Sequence, residues 1–163
     1  MLNPQQFTDL LLAPALKAID MYSADAMHLM LRTALVESRL THIKQIPNGP
    51  ALGLFQIEWD TYLDVCRYLS DRPSLRFAIL DYTERLVLPK NPTSLIADIS
   101  LNILIARIKY WMQPEPLPSH KDFISQANYY ERYYNGNVYV EKTQEFIRCA
   151  AETEGWIDNG KQD

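Results

Sequence analysis

Three observations predict an all-α domain: a glycine-poor composition, apolar residues spaced at a helical period, and capping residues ahead of the apolar segments. The chain has 163 residues with 5 Gly and 10 Pro, a balance that suits helices joined by loops better than a turn-rich β sandwich. Its length and its apolar fraction of 47% are typical of a single globular domain, which we expect to cover residues 1–163.

The first two helices are predicted from their caps and their periodicity. Asn3 followed by Pro4 places a proline at the first helical position and opens a segment that runs to about residue 21. Ser23 can cap the second helix, which should end near Leu40, ahead of a proline-containing loop. The apolar stripe of this second helix comprises Met27, Met30, Leu31, Ala34 and Leu35.

The middle of the chain contains the most apolar segment. Helices are predicted over residues 58–69 and 74–86, with a short break between them. Residues 95–112, capped by Thr93 or Ser94, are apolar nearly all round a helical wheel. A helix of that kind is normally buried in the centre of a domain, so we expect a central buried helix here.

The last part of the chain is predicted to form two helices after an extended linker. Three prolines within residues 114–118 favour the linker, and helices follow over residues 122–133 and 140–154. A turn is expected between these helices at Asn135-Gly136.

Composition and charge argue against several classes of function. The chain has 16 Lys and Arg against 20 Asp and Glu, and this net charge of -4 is unsuited to neutralising phosphates, so no nucleic-acid partner is expected. The longest apolar stretch, residues 99–108, is far short of the ~20 residues that span a bilayer, so no stable membrane insertion is expected. The two cysteines and three histidines show no metal-ligand spacing, and His28 is expected on a helix surface, so neither a metal nor a cofactor is predicted.

Residues 1–21 differ from a secretory signal peptide. Asp9 precedes the first lysine, Lys17, and Pro14 interrupts the only apolar run. We therefore expect the protein to be made in the cytoplasm without a signal peptide.

Glu37 lies one turn from the end of the second helix, at the border of its apolar face. At 100° per residue it falls beside Met30. A carboxyl group partly shielded from water more readily keeps its proton, as a general acid near neutral pH must. The alternative is a solvated glutamate on a helix flank.

Two further patterns suit saccharide binding. In residues 51–57, Gly53 permits a positive φ or a close backbone approach, and Gln56 offers a donor and an acceptor to a sugar amide or hydroxyl. Tyrosines can wall a saccharide groove, and half of the chain's tyrosines lie close together: Tyr129, Tyr130, Tyr133, Tyr134 and Tyr139. Taken alone, each pattern is equally consistent with ordinary packing.

Together, and in this order, the three patterns resemble the lytic transglycosylase family of goose-lysozyme-like folds. The resemblance covers about residues 33–138 and rests on three short motifs: Glu37-Ser38, then Gly53-Leu54-Phe55-Gln56-Ile57 with Thr61, then Tyr134-Asn135. It implies an all-α, lysozyme-like domain that cleaves the β-1,4 bond between N-acetylmuramic acid and N-acetylglucosamine in peptidoglycan.

The resemblance also implies site residues and a setting. Glu37 would be the catalytic acid, Ser38, Gln56, Tyr134 and Asn135 would bind substrate or shape the cleft, and Tyr134 would orient Glu37. The partners would be peptidoglycan glycan strands and, for a phage product, virion proteins. The protein would act in the periplasm or cell wall, released at lysis or carried in the virion.

Alternatives remain open at this point. The nearby carboxylates Glu58 and Asp60 are expected to diverge by ~100° on a helix, with Glu58 facing solvent. A single-acid reaction that leaves 1,6-anhydro ends is therefore favoured over hydrolysis, which uses two carboxylates. The chain could instead be a non-catalytic virion or saccharide-binding module that keeps the fold, or a helical adaptor unrelated to sugars.

Overall fold

Helices make up the regular structure of the part of the chain that is described. The computed structural model describes residues 1–136 and 140–154. Its α-helices are α1 (Pro4–Phe7), α2 (Ala13–Ala18), α3 (Ala24–Ser38), α4 (Trp59–Ser70), α5 (Pro73–Tyr82), α6 (Ser94–Ala97), α7 (Ile99–Trp111), α8 (Phe123–Tyr130) and α9 (Val140–Thr153). These residues contain isolated β-bridges at Leu52 but no strand, so the all-α prediction is confirmed. Tyr139, one of the clustered tyrosines, lies outside the described residues.

The predicted caps of the first helices are confirmed. The Asn3 side chain accepts a hydrogen bond from the Gln6 amide at 3.0 Å, and Ser23 accepts one from the Ala26 amide at 3.1 Å. A π-helical segment, Thr8–Leu12, joins α1 to α2 just ahead of Pro14. Because proline clashes with the carbonyl four residues earlier, a locally widened turn lets the helix continue.

The central helix is α7, as predicted, but it begins later than predicted. Residues 101–108 are all buried, and Ile103 has no exposed surface. The predicted start at residue 95 with a Thr93 or Ser94 cap is wrong, because the chain turns extended at Asp98, whose side chain caps the Leu101 amide at 2.9 Å. An ion pair at 3.0 Å with Arg85 holds Asp98 in place.

The packing of the helices brings three helix ends together. α7 contacts α2, α4 and α6, while α9 packs against both α3 and α8. The end of α3, the end of α8 and the start of α9 therefore meet beside α7. In the described part of the chain, no helix is both long enough and apolar enough to cross a membrane.

The expectation that His28 lies on the surface is wrong. Its ring is buried and stacks on His120 with centroids 4.6 Å apart, and it lies 3.2 Å from the Arg32 guanidinium. Arg32, itself buried, donates to the Gln126 side chain at 2.6 Å. This polar cluster connects α3 to α8, which a helical wheel of α3 alone does not reveal.

Candidate active site

The segment 52–57 forms a tight turn that projects toward the end of α3. The Leu52 amide donates to the Ile57 carbonyl at 3.0 Å, and the Ile57 amide donates to the Leu52 carbonyl at 2.9 Å. Gly53, between them, has a φ of 74°. Gln56 is also left-handed, with a φ of 47°, and its side-chain amide donates to the Gly53 carbonyl at 2.8 Å. Both residues adopt conformations that let a short turn close.

The central helix holds this turn through one buried amide, that of Asn102. Its oxygen accepts from the Phe55 amide at 2.9 Å, and its nitrogen donates to the Leu52 carbonyl at 3.2 Å. The first bond gives the Phe55 amide an acceptor, and the second is an additional bond to a carbonyl that already accepts from the Ile57 amide. Sequence analysis did not single out Asn102, although a lone asparagine in an apolar helix is a signal of such a bond.

Ser38 shapes the cleft rather than lining it. Its buried hydroxyl donates to the Leu54 carbonyl at 2.7 Å and accepts from the Leu40 amide at 3.2 Å, just where a left-handed Arg39 ends α3. The expected contact between Ser38 and a substrate is not supported, because its buried hydroxyl already makes the hydrogen bonds that connect α3 to the turn.

Tyr134 binds the turn and not Glu37. It lies in a π-helical segment, Glu131–Asn135, and its buried hydroxyl donates to the Phe55 carbonyl at 2.7 Å. The prediction that Tyr134 orients Glu37 is therefore wrong. Tyr130, one turn earlier, donates its hydroxyl to Glu37 Oε1 at 2.6 Å.

Tyr130 is the hydroxyl donor to Glu37. The sequence analysis named it only as one of five clustered tyrosines. Its ring stacks on Phe146 with centroids 5.0 Å apart and on Tyr134 at 6.0 Å. Burial, together with the charge of Glu37 and the hydrogen bond to it, raises the pKa of Tyr130 far above its usual range. The phenol therefore stays protonated and remains a donor.

Glu37 is enclosed by two donors from the last helices. Its side chain is only 6% exposed, with Oε1 bound by Tyr130 and Oε2 by the Lys142 ammonium at 2.7 Å. Lys142 belongs to the first turn of α9. No sequence pattern pointed to Lys142, since it is far from Glu37 along the chain.

All three sequence motifs meet at one cleft of about 730 Å³. Glu37, Gln56, Tyr134 and Asn135 line it, as does Thr61. The predicted site residues other than Ser38 therefore lie at one cleft, whereas Ser38 is buried and does not line it. Further described lining residues are His42, Gln45, Ile46, Ala51, Glu58, Lys109, Gly136 and Lys142.

The cleft mixes positive and negative charge. Two lysines, Lys109 and Lys142, line it together with Glu37 and Glu58, in contrast to the negative charge of the whole chain. Burial lowers the pKa of Lys109 to about 8, although Glu37 and Glu58 oppose the change. The Lys109 ammonium donates to the Tyr134 carbonyl at 2.9 Å and lies 3.9 Å from the centre of the Tyr134 ring.

Of the two nearby carboxylates, only Glu58 reaches the cleft. It is the residue preceding α4, exposed as expected, and its side chain forms part of the cleft wall. Asp60 is exposed and does not line the cleft.

No group of three or more His, Cys, Asp and Glu side chains suited to a metal ion occurs among residues 1–136 and 140–154. Comparisons with protein-family models, with curated proteins and with solved structures found no match to this chain.

Proposed function

We propose that this protein is a peptidoglycan lytic transglycosylase with Glu37 as its single catalytic acid. One observation carries the proposal: three short motifs, far apart in the chain, bind one another around a single cleft. Ser38 and Tyr134 each donate to the carbonyl of a residue in the 53–57 motif, and Glu37 lies at the cleft beside them. Coincidental matches to a motif pattern would have no reason to converge in this way.

The chemistry follows from the position of Glu37. In its protonated form it would donate a proton to the glycosidic oxygen as the bond from the muramyl C1 to that oxygen breaks. The resulting carboxylate would then take the proton of the muramyl 6-hydroxyl, whose oxygen attacks C1 and closes a 1,6-anhydro ring. Glu37 recovers its proton in this second step, so no net proton is consumed.

The remaining cleft residues would position the substrate and the acid. Tyr130 holds Glu37 Oε1 in a fixed direction, while Gln56 and Asn135 place amide groups on the cleft wall, where N-acetyl groups and hydroxyls of glycan strands can be bound. The setting we propose is phage-mediated wall degradation, either at lysis or from the virion.

Loss of turbidity of purified bacterial cell walls tests the proposal directly. We expect clearing by the native protein and none by the heat-denatured protein or by Glu37→Gln. Clearing that survives Glu37→Gln would contradict the assignment of the acid.

Tyr130 and Tyr134 offer a matched pair of substitutions. Tyr130→Phe keeps the ring packing and removes the hydrogen bond that fixes the direction of Glu37 Oε1, so we expect cleavage to fall by about tenfold or more. Tyr134→Phe leaves the Phe55 carbonyl unpaired and should lower the free energy of unfolding by roughly 1–3 kcal/mol. Cleavage kinetics and urea unfolding of both variants would separate the two effects. Equal losses of activity would contradict a direct contribution of Tyr130.

A non-catalytic saccharide-binding or virion module is the second candidate function. The ion pair between Lys142 and Glu37 favours it, because an ammonium 2.7 Å from Oε2 occupies the oxygen that a proton donor has to present to its substrate. On the enzymatic proposal, the ammonium must move away from Oε2 before the acid can act.

Lys142→Met distinguishes these candidates. For an enzyme we expect cleavage at neutral pH to rise by about three- to tenfold, since no ammonium then has to leave Oε2 before the acid can act. Lys121→Met, at an exposed position away from the cleft, is the control and should behave as wild type. A module would clear no wall in any variant, while a fall in cleavage would show that Lys142 itself serves the reaction.

A further inference from the structure

A second cavity, of about 340 Å³, lies on the other side of α7 from the cleft. Arg107 lines this cavity, whereas Lys109 lines the cleft. Two positions along a helix correspond to ~200° of rotation, so the two side chains leave α7 in nearly opposite directions. The volume falls within the ~300–1,000 Å³ of small-molecule pockets.

Among the described residues, no carboxylate forms an ion pair with the buried cation Arg107. Only 3% of the residue is exposed, and its Nε and Nη1 atoms have no hydrogen-bond partner in the part of the chain that is described. Burial lowers the pKa of Arg107 to about 10, opposed by Tyr129 and Tyr110, so the guanidinium remains charged at neutral pH.

An unpaired guanidinium in such a place is costly, since buried N–H donors normally find acceptors. The cavity beside it is lined mainly by aromatic and apolar side chains. The Trp111 ring centre lies 5.5 Å from the Arg107 Cζ atom, and Tyr129, Leu117 and the proline-rich linker form the remaining walls. A flat or aliphatic body would pack against these apolar surfaces.

The charge around the cavity selects the kind of anion. Arg107 is the only cationic side chain among the described residues that line it, and the carboxylate Glu115 lines it too. The Glu115 carboxylate forms its ion pair with Arg132, at 2.8 Å, and not with Arg107. One guanidinium near a carboxylate suits a monoanion better than a phosphate dianion, and its fork matches the two oxygens of a carboxylate.

We propose that Arg107 binds the carboxylate of a small monocarboxylic acid whose apolar body packs against Trp111 and the linker. The site lies apart from the glycan cleft and does not depend on the function proposed for that cleft. Its ligand would bind whether or not the protein cleaves cell walls.

Titration with benzoate, followed by NMR of the arginine Nε–H and indole N–H groups, tests this proposal. We expect saturable shifts at Arg107 and Trp111 in the wild-type protein. Benzamide, a neutral ligand of similar shape, should bind about tenfold more weakly or worse. Arg107→Gln should weaken benzoate binding to the same extent, while Arg67→Gln, an exposed arginine on α4, should leave it unchanged.

Three results would overturn the proposal: equal binding of benzoate and benzamide, shifts centred away from Arg107, or full binding by Arg107→Gln. If Arg107→Gln does not fold, Arg107→Lys replaces it, since it keeps the charge but loses the planar fork, and we expect several-fold weaker binding. The comparison of benzoate with benzamide on the wild-type protein decides the question even without a variant.

Discussion

Replacement of Glu37 by Gln is expected to lower the rate of cell-wall cleavage by about a thousandfold, within the range found for general acid catalysis. The substitution is nearly isosteric and removes the transferable proton. The amide oxygen can still accept from Tyr130, and the lost ion pair is with a lysine that is 36% exposed, so the melting temperature should change by only a few degrees. Cleavage assays and thermal unfolding measured on the same preparation check both parts.

Glu58→Gln is the matched control for Glu37→Gln, because it removes the other carboxylate of the cleft wall. We expect it to retain activity within a few-fold, and mass spectrometry of the digested wall should show 1,6-anhydro-muramyl ends. Reducing ends that disappear in Glu58→Gln would instead show a hydrolase with two carboxylates. A large loss of stability in Glu37→Gln would assign Glu37 a structural function.

Gly53→Ala, in the buried turn behind the cleft, is expected to give the largest loss of stability among the substitutions described. A Cβ atom at this position would lie 2.3 Å from the Asn102 side-chain nitrogen and 2.4 Å from the Leu95 carbonyl oxygen. The left-handed φ of 74° adds strain for any residue with a side chain. Moving Asn102 aside would also break the bonds that hold the turn.

Strain and lost buried hydrogen bonds together suggest a destabilisation of roughly 3–5 kcal/mol. That is a large part of the ~5–15 kcal/mol by which domains are stable. Urea unfolding measures the loss, and cleavage should fall as well, since Gln56 sits on the same turn. Gly49→Ala is the control, because the nearest atoms to its new Cβ belong to the Gln45 side chain, which can move with the loss of one 3.3 Å hydrogen bond from the Ala51 amide, so we expect a loss of about 1 kcal/mol. Equal stability of the two variants would contradict the proposal that Asn102 holds the turn through its hydrogen bonds.

Local signals predicted most of the helices. Asn3 and Ser23 cap their helices through amides three residues ahead, and these contacts depend on neighbouring sequence alone. The start of α7 was missed because Asp98 sits inside a pattern that reads as continuous helix. Asp98 is extended and forms an ion pair with Arg85, a contact between residues far apart on the helical pattern that periodicity cannot reveal.

Periodicity and caps, which are local properties, were enough to predict the all-α class and the central buried helix. The resemblance of three short motifs to a known family supplied the five expected site residues, four of which line one cleft. The partners of Glu37, in contrast, depend on tertiary packing. Tyr130 and Lys142 lie 93 and 105 residues away from it, and their positions depend on how α8 and α9 pack against α3. The choice of Tyr130 over Tyr134 depends on that packing, because two tyrosines one turn apart present the same pattern, and only their distances to Glu37 and Phe55 distinguish them.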